Sequence, residues 1–229
     1  LDDVAALAGQ RAPAPAWAAA QPALRDTLAL VEELGLGDAA KAACMLHDAA
    51  LCGARFTPAD LAVLPEDTRV LLEGQQAAEK VWALHAEHAR GQGSEGLRRL
   101  LLAIVRDLRV VLLLLARQLV RMRAAIHAPE DERRALARLT ADIHAPLANR
   151  LGIWQLKCEL EDLAFRYLQP DVYRGIARQL DERRADREQW IEGARGQLAD
   201  ALAQAGIAAD VAGRPKHIYS IWRKMQRKG

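Results

Sequence analysis

Aromatic residues are scarce in this chain, with two Phe and three Tyr among 229 residues. A core short of rings must be filled by aliphatic side chains. Ala, Leu and Arg dominate, a composition that favours helices packed through aliphatic contacts. A surplus of one charge is also missing: 32 Lys and Arg face 30 Asp and Glu, a formal net charge of +2. Global charge therefore does not argue for a nucleic-acid binder, and any basic patch must be local. Cysteine is sparse. Cys44, Cys52 and Cys158 form no CxxC pair and read as reduced, mostly buried thiols of a cytoplasmic protein. Long hydrophobic runs are lacking, and no signal peptide is visible. The most apolar stretch, VVLLLL at Val110–Leu115, is flanked by Arg106, Asp107, Arg109 and Arg117. It is far too short to span a bilayer and reads as the centre of a buried helix.

What is present is helical periodicity, broken at regular intervals. The first twenty residues are Ala/Pro-rich and weakly patterned, which predicts a flexible arm over residues 1–21. From Pro22, Leu24, Leu28, Val31 and Leu34 recur at helical spacing, and Leu34-Gly35-Leu36-Gly37-Asp38 ends that helix and opens the next. The second helix is predicted over Asp38–Leu51, stopped by Cys52-Gly53. Thr57-Pro58-Ala59-Asp60 is an N-cap followed by Pro at the first helical position. Pro65-Glu66-Asp67-Thr68 opens a further helix to about Ala89. Gly91-Gln92-Gly93-Ser94-Glu95-Gly96 reads as a loop, with Ser94 capping a long helix to about Ile126. After a break at His127-Ala128-Pro129, helix is expected to Leu147. Asn149 to Gly152 forms a turn, with Asn149 and Arg150 in structural roles. Helices follow over Gln155–Leu168, from Pro170-Asp171, and over about Asp181–Ala205. The last is charge-rich, with acid–base pairs three or four apart. Ile207–Gly213 fits a short strand better than a helix, and Lys216–Lys228 is again helical.

That final segment, GRPKHIYSIWRKMQRK at Gly213–Lys228, carries the sharpest chemistry. Arg214, Lys216, His217, Arg223, Lys224, Arg227 and Lys228 lie in it without a single acid. Lys216, Ser220, Arg223, Lys224 and Arg227 can share one side of a helix, with Ile218, Ile221, Trp222 and Met225 on the other. A helix basic on one side and apolar on the other suits a polyphosphate, with its N-terminal N–H groups adding anion donors. Charge alone favours a solvated basic face.

The string itself resembles the segment that opens the synthetase domain of the RelA/SpoT family, which makes guanosine tetra- and pentaphosphate, (p)ppGpp. The resemblance continues upstream. Ile143-His144-Ala145-Pro146-Leu147-Ala148-Asn149-Arg150-Leu151-Gly152 matches the family's IYAPLANRLG, with His144 for its Tyr. Leu156–Leu168 is close to its LKWELEDLAFRYL, with Cys158 for its Trp. The resemblance implies that Arg214 stacks on the adenine of ATP and that Lys216, Ser220 and Lys224 hold its phosphates, roles that suit a guanidinium and lysines. It implies pyrophosphate transfer from ATP to the 3′-hydroxyl of GDP or GTP, with Mg2+ held by carboxylates that the family places downstream of this segment. No catalytic residue of synthesis is therefore assigned in this chain, which is expected to be inactive alone.

Met45-Leu46-His47-Asp48 resembles the HD pair that helps hold a divalent metal in this family's hydrolase domain. The rest of that set is changed. Ala23-Leu24 stands where active members carry His-Pro. Their HDxxED continues here as His47-Asp48-Ala49-Ala50-Leu51-Cys52. Their LADRLHN becomes Leu115-Ala116-Arg117-Gln118-Leu119-Val120-Arg121. Guanidinium groups at Arg117 and Arg121 would repel a cation. The resemblance thus implies a degenerate hydrolase fold, with no bound Mn2+ expected. His85 and His88, an i, i+3 pair near Glu87, could chelate a metal, but no third ligand lies nearby and a solvated face suits them better.

The expected fold is mainly α: an HD-domain-like helical bundle, then a short strand and helix beginning a truncated α/β synthetase domain. The expected divisions are an arm at 1–21, the degenerate HD domain at 22–150, a helical connector at 151–205 and the start of the synthetase at 206–229. The parent would be a cytoplasmic (p)ppGpp synthetase of the stringent response using ATP, Mg2+ and GDP or GTP. Ribosome and tRNA contacts would come from later domains, and no membrane contact is expected. Two alternatives stay open: a metal-dependent (p)ppGpp pyrophosphohydrolase, and a non-catalytic module whose basic tail binds RNA or an acidic partner.

Overall fold

The computed structural model describes residues 1–88, 107–181, 184–213 and 215–228, with side chains from 81 onward in the first stretch and at 184, 185, 187 and 228 left aside. The expected loop at Gly91–Gly96 and the Ser94 cap fall outside the described residues. The chain divides into two compact units, Leu1–Leu160 and Glu161–Gly229.

The first unit opens with helices α1 (Asp2–Arg11), α2 (Ala14–Glu33), α3 (Gly37–Leu51), α4 (Pro58–Ala62) and α5 (Glu66–His88). It continues with α6 (Leu108–Ala124), α7 (Glu130–Leu139), α8 (Ala145–Arg150) and the first part of α9 (Trp154–Leu168). α3 is the hub and packs against α1, α2 and α5, while α6 packs against α2 and α5. The core they enclose is aliphatic, as the composition requires: Leu24, Val31, Ala40, Ala43, Leu46, Leu71, Val110 and Leu113 are buried in it. Val110–Leu115 is indeed the buried part of a helix, with Val110, Val111, Leu113, Leu114 and Leu115 all buried.

The turn chemistry explains the helix ends. Gly35, at φ 66°, takes the left-handed conformation that ends α2, and the Leu36 N–H reaches back to the Val31 carbonyl at 3.1 Å. Thr57 and Asp60 form a reciprocal capping box on α4: the Asp60 N–H donates to Thr57 Oγ1 and the Thr57 N–H to Asp60 Oδ2. Asp107 caps α6 by accepting the Arg109 N–H at 2.8 Å, and the Arg109 guanidinium spans Asp107 and Asp67. A helix running unbroken from Ser94 to Ile126 is therefore corrected, because the extended backbone of Asp107 starts α6 afresh.

The flexible arm over residues 1–21 is also corrected. Those residues form α1 and the first turns of α2, and Ala8 is fully buried. Alanine there serves close packing: it adds little side-chain bulk and has high helix propensity. Pro22 lies inside α2, on an exposed position, rather than at its start.

Between α7 and α8 the helix widens to a single π turn, Thr140–His144. Thr140 Oγ1 donates to the Leu136 carbonyl at 2.8 Å and accepts Gln118 Nε2 at 2.7 Å. Both side chains are buried, so each needs the other to satisfy its polar atoms. His144 is buried as well, and burial pushes its imidazole down to about 4, the Leu139 carbonyl opposing the shift.

The second unit holds the end of α9, then α10 (Pro170–Asp181), α11 (Arg184–Gln204) and α12 (Ile218–Lys228). The expected connector at 151–205 is divided: the boundary falls after Leu160, within α9, rather than at 150 and 205. The expected strand at Ile207–Gly213 is coil, and no strand occurs among the described residues. A strand needs a neighbour to take its N–H and C=O groups, and no described segment offers one. The stretch lies instead along α11, where Arg195 Nε donates to the Val211 carbonyl at 3.1 Å. A Cβ on Gly213 would stand 2.7 Å from Ile191 Cγ2, so only glycine permits that approach. No helix of the described residues is long and apolar enough to cross a membrane.

Gly74 on α5 faces Val110 on α6, and an added Cβ would lie 2.6 Å from Val110 Cγ2. Gly74→Ala gains about 1 kcal/mol of helix propensity but overpacks by roughly 1–3 kcal/mol. Urea unfolding is expected to show a net loss, and pairing Gly74→Ala with Val110→Ala is expected to cost less than the sum of the single changes.

His144 gives a pH dependence whose sign is fixed by its lowered folded-state pKa. Between its ordinary 6.5 and about 4 the unfolded chain binds a proton that the folded chain does not. Stability from neutral His144 is thus full above 6.5 and is lost as pH falls toward 4. Urea midpoints measured from pH 7.5 to 5 should fall, and His144→Gln should flatten the slope.

Candidate functional site

Two clusters carry the residues of interest, one in each unit. In the first, α3 presents His47 and Asp48 toward α6. His47 is buried, whereas Asp48 is half-buried. Arg117 on α6 meets Asp48 Oδ1 through Nη2 at 2.8 Å. The same nitrogen donates to the Cys44 carbonyl at 3.1 Å. One guanidinium therefore grips both the side chain and the backbone of α3. Burial pushes the Asp48 carboxyl up, and Arg117 pulls it back. Burial pushes the His47 imidazole down, and the Arg117 charge adds to that shift. His47 Nε2 lies 3.8 Å from Glu79 Oε1 on α5, too far for a hydrogen bond. Both His47 ring nitrogens and Arg117 Nε are buried without a hydrogen-bond partner. Burial also raises the Cys44 thiol to about 11, leaving it unreactive at neutral pH.

The other degenerate positions are spread out. Leu51 is 60% exposed at the end of α3. Cys52 is close enough to Asp48 to feel its charge and donates to the Ala16 carbonyl. Arg121 is exposed on α6, and Ala23 is exposed on α2. The structure thus brings His47, Asp48 and Arg117 together, with Glu79 an acid near His47 that the sequence did not single out. This donor set does not fit a hydrolytic metal, since its one HD carboxylate is already paired with a guanidinium. Among the described residues, no three His, Cys, Asp or Glu side chains form a group that could hold a metal ion. The side chains of His85 and His88 lie outside the described residues.

The second cluster is built on the start of α12. Phe165 of α9 packs on Trp222 with ring centroids 4.7 Å apart, and on Tyr219 at 5.8 Å. Tyr173 of α10 meets the other edge of Phe165 at 6.0 Å. Four of the chain's few rings therefore hold α12 in place. Beside them, Asp162 accepts the N–H groups of Tyr219 at 2.8 Å and Ile218 at 3.3 Å. Burial pushes the Asp162 carboxyl up, while the Tyr219 amide pulls it down. Glu161 Oε2 lies 3.1 Å from His217 Nε2, and the same nitrogen is 2.9 Å from Ser220 Oγ.

Of the residues expected to hold ATP, Ser220 and Lys224 lie on α12. Lys216 precedes the helix, which begins at Ile218, two residues later than predicted. His217 accepts the first helical bond, from the Ile221 N–H at 3.2 Å. The cause of the later start is Asp162, which fixes the first turn at Ile218 and Tyr219. Two of the terminal amides on which the expected anion role would draw, Ile218 and Tyr219, hold the Asp162 carboxylate. Lys216, Arg223, Lys224 and Arg227 are exposed; Ser220, Ile218, Ile221 and Trp222 are half-buried, and Met225 is exposed despite its place on the apolar side. Arg214 lies outside the described residues. Glu161, Asp162 and His217 are the functional candidates that sequence reading missed. Their only signal was an acidic pair in a recognised string and a histidine among basic residues.

Comparison with known proteins shows the family of the first unit. Residues 6–154 match the HD domain family. The chain belongs to that family, and the match takes in most of the supposed arm. The chain is 50% identical over 152 residues to the GTP pyrophosphokinase of Escherichia coli (strain K12), covering 66% of this chain and 20% of that one. It is 40% identical over 198 residues to the probable guanosine-3′,5′-bis(diphosphate) 3′-pyrophosphohydrolase of Synechocystis, covering 86% and 26%. The Myxococcus xanthus GTP pyrophosphokinase is 34% identical over 201 residues, covering 87% and 26%. The chain spans about a fifth to a quarter of the length of these relatives.

Removing the Arg117 guanidinium would leave Asp48 facing the protein interior unpaired. Arg117→Met is expected to cost about 3 kcal/mol in urea unfolding, and Arg117→Met with Asp48→Asn substantially less than the single change plus Asp48→Asn. Equal, additive losses would show that the pair contributes nothing as a pair.

Proposed function

We propose that this chain is the front part of a cytoplasmic enzyme that transfers pyrophosphate from ATP to the 3′-hydroxyl of GDP or GTP. Its HD domain is silent as a hydrolase and serves as a scaffold for the synthetase that begins in the second unit. The observation that carries the reading is the acid-free basic run from Lys216 to Arg227, in which Lys216, Arg223, Lys224 and Arg227 are exposed at and along a helix anchored by rings. The names of the relatives from E. coli and M. xanthus support it.

In this reading Arg214 stacks on the adenine, and Lys216, Ser220 and Lys224 hold the phosphates of ATP. Exposed lysines can follow a mobile polyphosphate chain, and the half-buried Ser220 supplies a fixed hydroxyl. Mg2+, held by carboxylates outside this chain, would neutralise charge as the pyrophosphoryl group moves.

The Synechocystis relative favours a second reading, hydrolysis of (p)ppGpp. That chemistry needs several ligands converging on a metal and a coordination site left open for water. The ion pair between Arg117 and Asp48 argues against it, since the guanidinium neutralises the carboxylate that a metal would need.

In the full-length parent, radiolabelled ATP with GDP or GTP is expected to give (p)ppGpp. Lys224→Ala should lower kcat/KM for ATP by about one to two powers of ten, the loss of a charge-assisted phosphate contact. The 229-residue polypeptide alone should form no (p)ppGpp from these substrates, and should release no pyrophosphate from (p)ppGpp in the presence of Mn2+. Release of pyrophosphate would establish the second reading instead.

A further inference from the structure

Resting on that reading, we propose that His217 is a positioning residue that turns the Ser220 hydroxyl into a fixed donor for an ATP phosphate, with Glu161 holding the imidazole in place. Three groups meet at one atom. His217 Nε2 lies 3.1 Å from Glu161 Oε2 and 2.9 Å from Ser220 Oγ. The side chains of His217 and Glu161 are only 15% and 12% exposed. Water therefore competes little with the contact.

The chemistry of the three groups sets their roles. An ionised carboxylate only accepts hydrogen bonds, so the nitrogen facing Glu161 must carry the proton. That N–H then also points at a lone pair of Ser220 Oγ. The serine, having accepted, keeps its own proton on a bond that is free to aim away from the imidazole. A phosphate oxygen offers only lone pairs, and a serine must donate to bind it. Were the imidazole protonated on Nδ1 alone, the hydroxyl would donate to Nε2 and present only lone pairs to the phosphate. Glu161 is thus what selects the useful direction, as second partners of a histidine commonly do.

The position of the triad adds weight. Asp162, the neighbour of Glu161, already takes the Ile218 and Tyr219 amides. Those backbone donors are closed to a phosphate, so recognition falls to side chains. Of the assigned ATP-binding side chains on α12, Ser220 is half-buried and Lys224 exposed. A short hydroxyl can be fixed in direction far more tightly than a lysine ammonium on its flexible stem.

The experiment measures pyrophosphoryl transfer by the full-length parent with ATP varied at saturating GDP. His217→Ala is expected to raise KM for ATP about tenfold, the loss of one oriented hydrogen bond to a charged group, with kcat changed much less. His217→Gln, which can present an amide N–H near the place of Nε2, is expected to recover most of that loss. In a double-variant cycle, Ser220→Ala with His217→Ala should be no worse than Ser220→Ala alone. Glu161→Gln tests the same coupling with a near-isosteric change, should His217→Ala fail to fold by circular dichroism. Additive effects of His217 and Ser220, or of Glu161 and Ser220, would overturn the proposal while leaving the functional reading intact. A wild-type parent that transfers no pyrophosphoryl group would overturn the functional reading and this proposal with it.

Discussion

The grip of Arg117 on α3 is the constraint around which the first unit is organised. α3 packs on α1, α2, α5 and α6, and on it an acid, Asp48, is half-buried. A carboxylate in that setting demands a cation or a proton. Arg117 supplies the cation and simultaneously bonds the Cys44 carbonyl. The helix α6 that carries it is itself tied down at its start, where Asp107 caps it and Arg109 reaches to Asp67. Electrostatics and packing thus specify the same placement of α6 on α3. Such agreement between levels distinguishes a single fold from a family of near-equivalent packings.

The second unit solves a different problem with the same kind of residue. Its last helix is strongly basic on one side and has few apolar partners. Four rings and two adjacent acids hold it. Phe165 gives α12 a surface to pack on, Asp162 caps the first turn and Glu161 takes His217. The rarity of aromatics noted in the composition makes their placement informative: the cluster gathers Phe165, Tyr173, Tyr219 and Trp222 around one helix end. Basic side chains that stay exposed, as Arg223, Lys224 and Arg227 do, contribute little to packing the helix. The anchoring has to come from the opposite side and from the terminus.

Much of this was legible in the sequence because it is local. The Gly35 turn and the Thr57 N-cap depend on residues a few positions apart, and both were read correctly; the reciprocal bond from Asp60 was added by the structure. The buried nature of Val110–Leu115 followed from its run of aliphatics. What escaped was set by partners distant in sequence. The supposed arm looked unpatterned because its most buried residues, Ala8 and Ala12, carry almost no hydrophobic signal, although Val4, Leu7 and Trp17 also pack on the core. The supposed strand had the right residues but, among the described residues, no neighbour to pair with. The start of α12 was misplaced because its cap, Asp162, lies more than fifty residues upstream. Of the degenerate positions, the encounter of Arg117 with Asp48 was implied only as repulsion of a metal, whereas the structure shows attraction between the two side chains.

That difference bears on what a guanidinium can and cannot do in the place of a divalent ion. A divalent ion in such a site does two jobs: it neutralises buried carboxylate, and it offers open positions where water is activated. A guanidinium performs the first and cannot perform the second, because it always stays protonated and has no vacant site to offer. Under the proposed function, Arg117 therefore gives α3 the electrostatic support that an ion would give, without the chemistry. Leu51 and Cys52 are consistent with this, since additional acids there would leave negative charge that one arginine could not balance. Asp48 has its cation in Arg117, and under the proposed function that choice of cation makes the site one that supports structure and not hydrolysis.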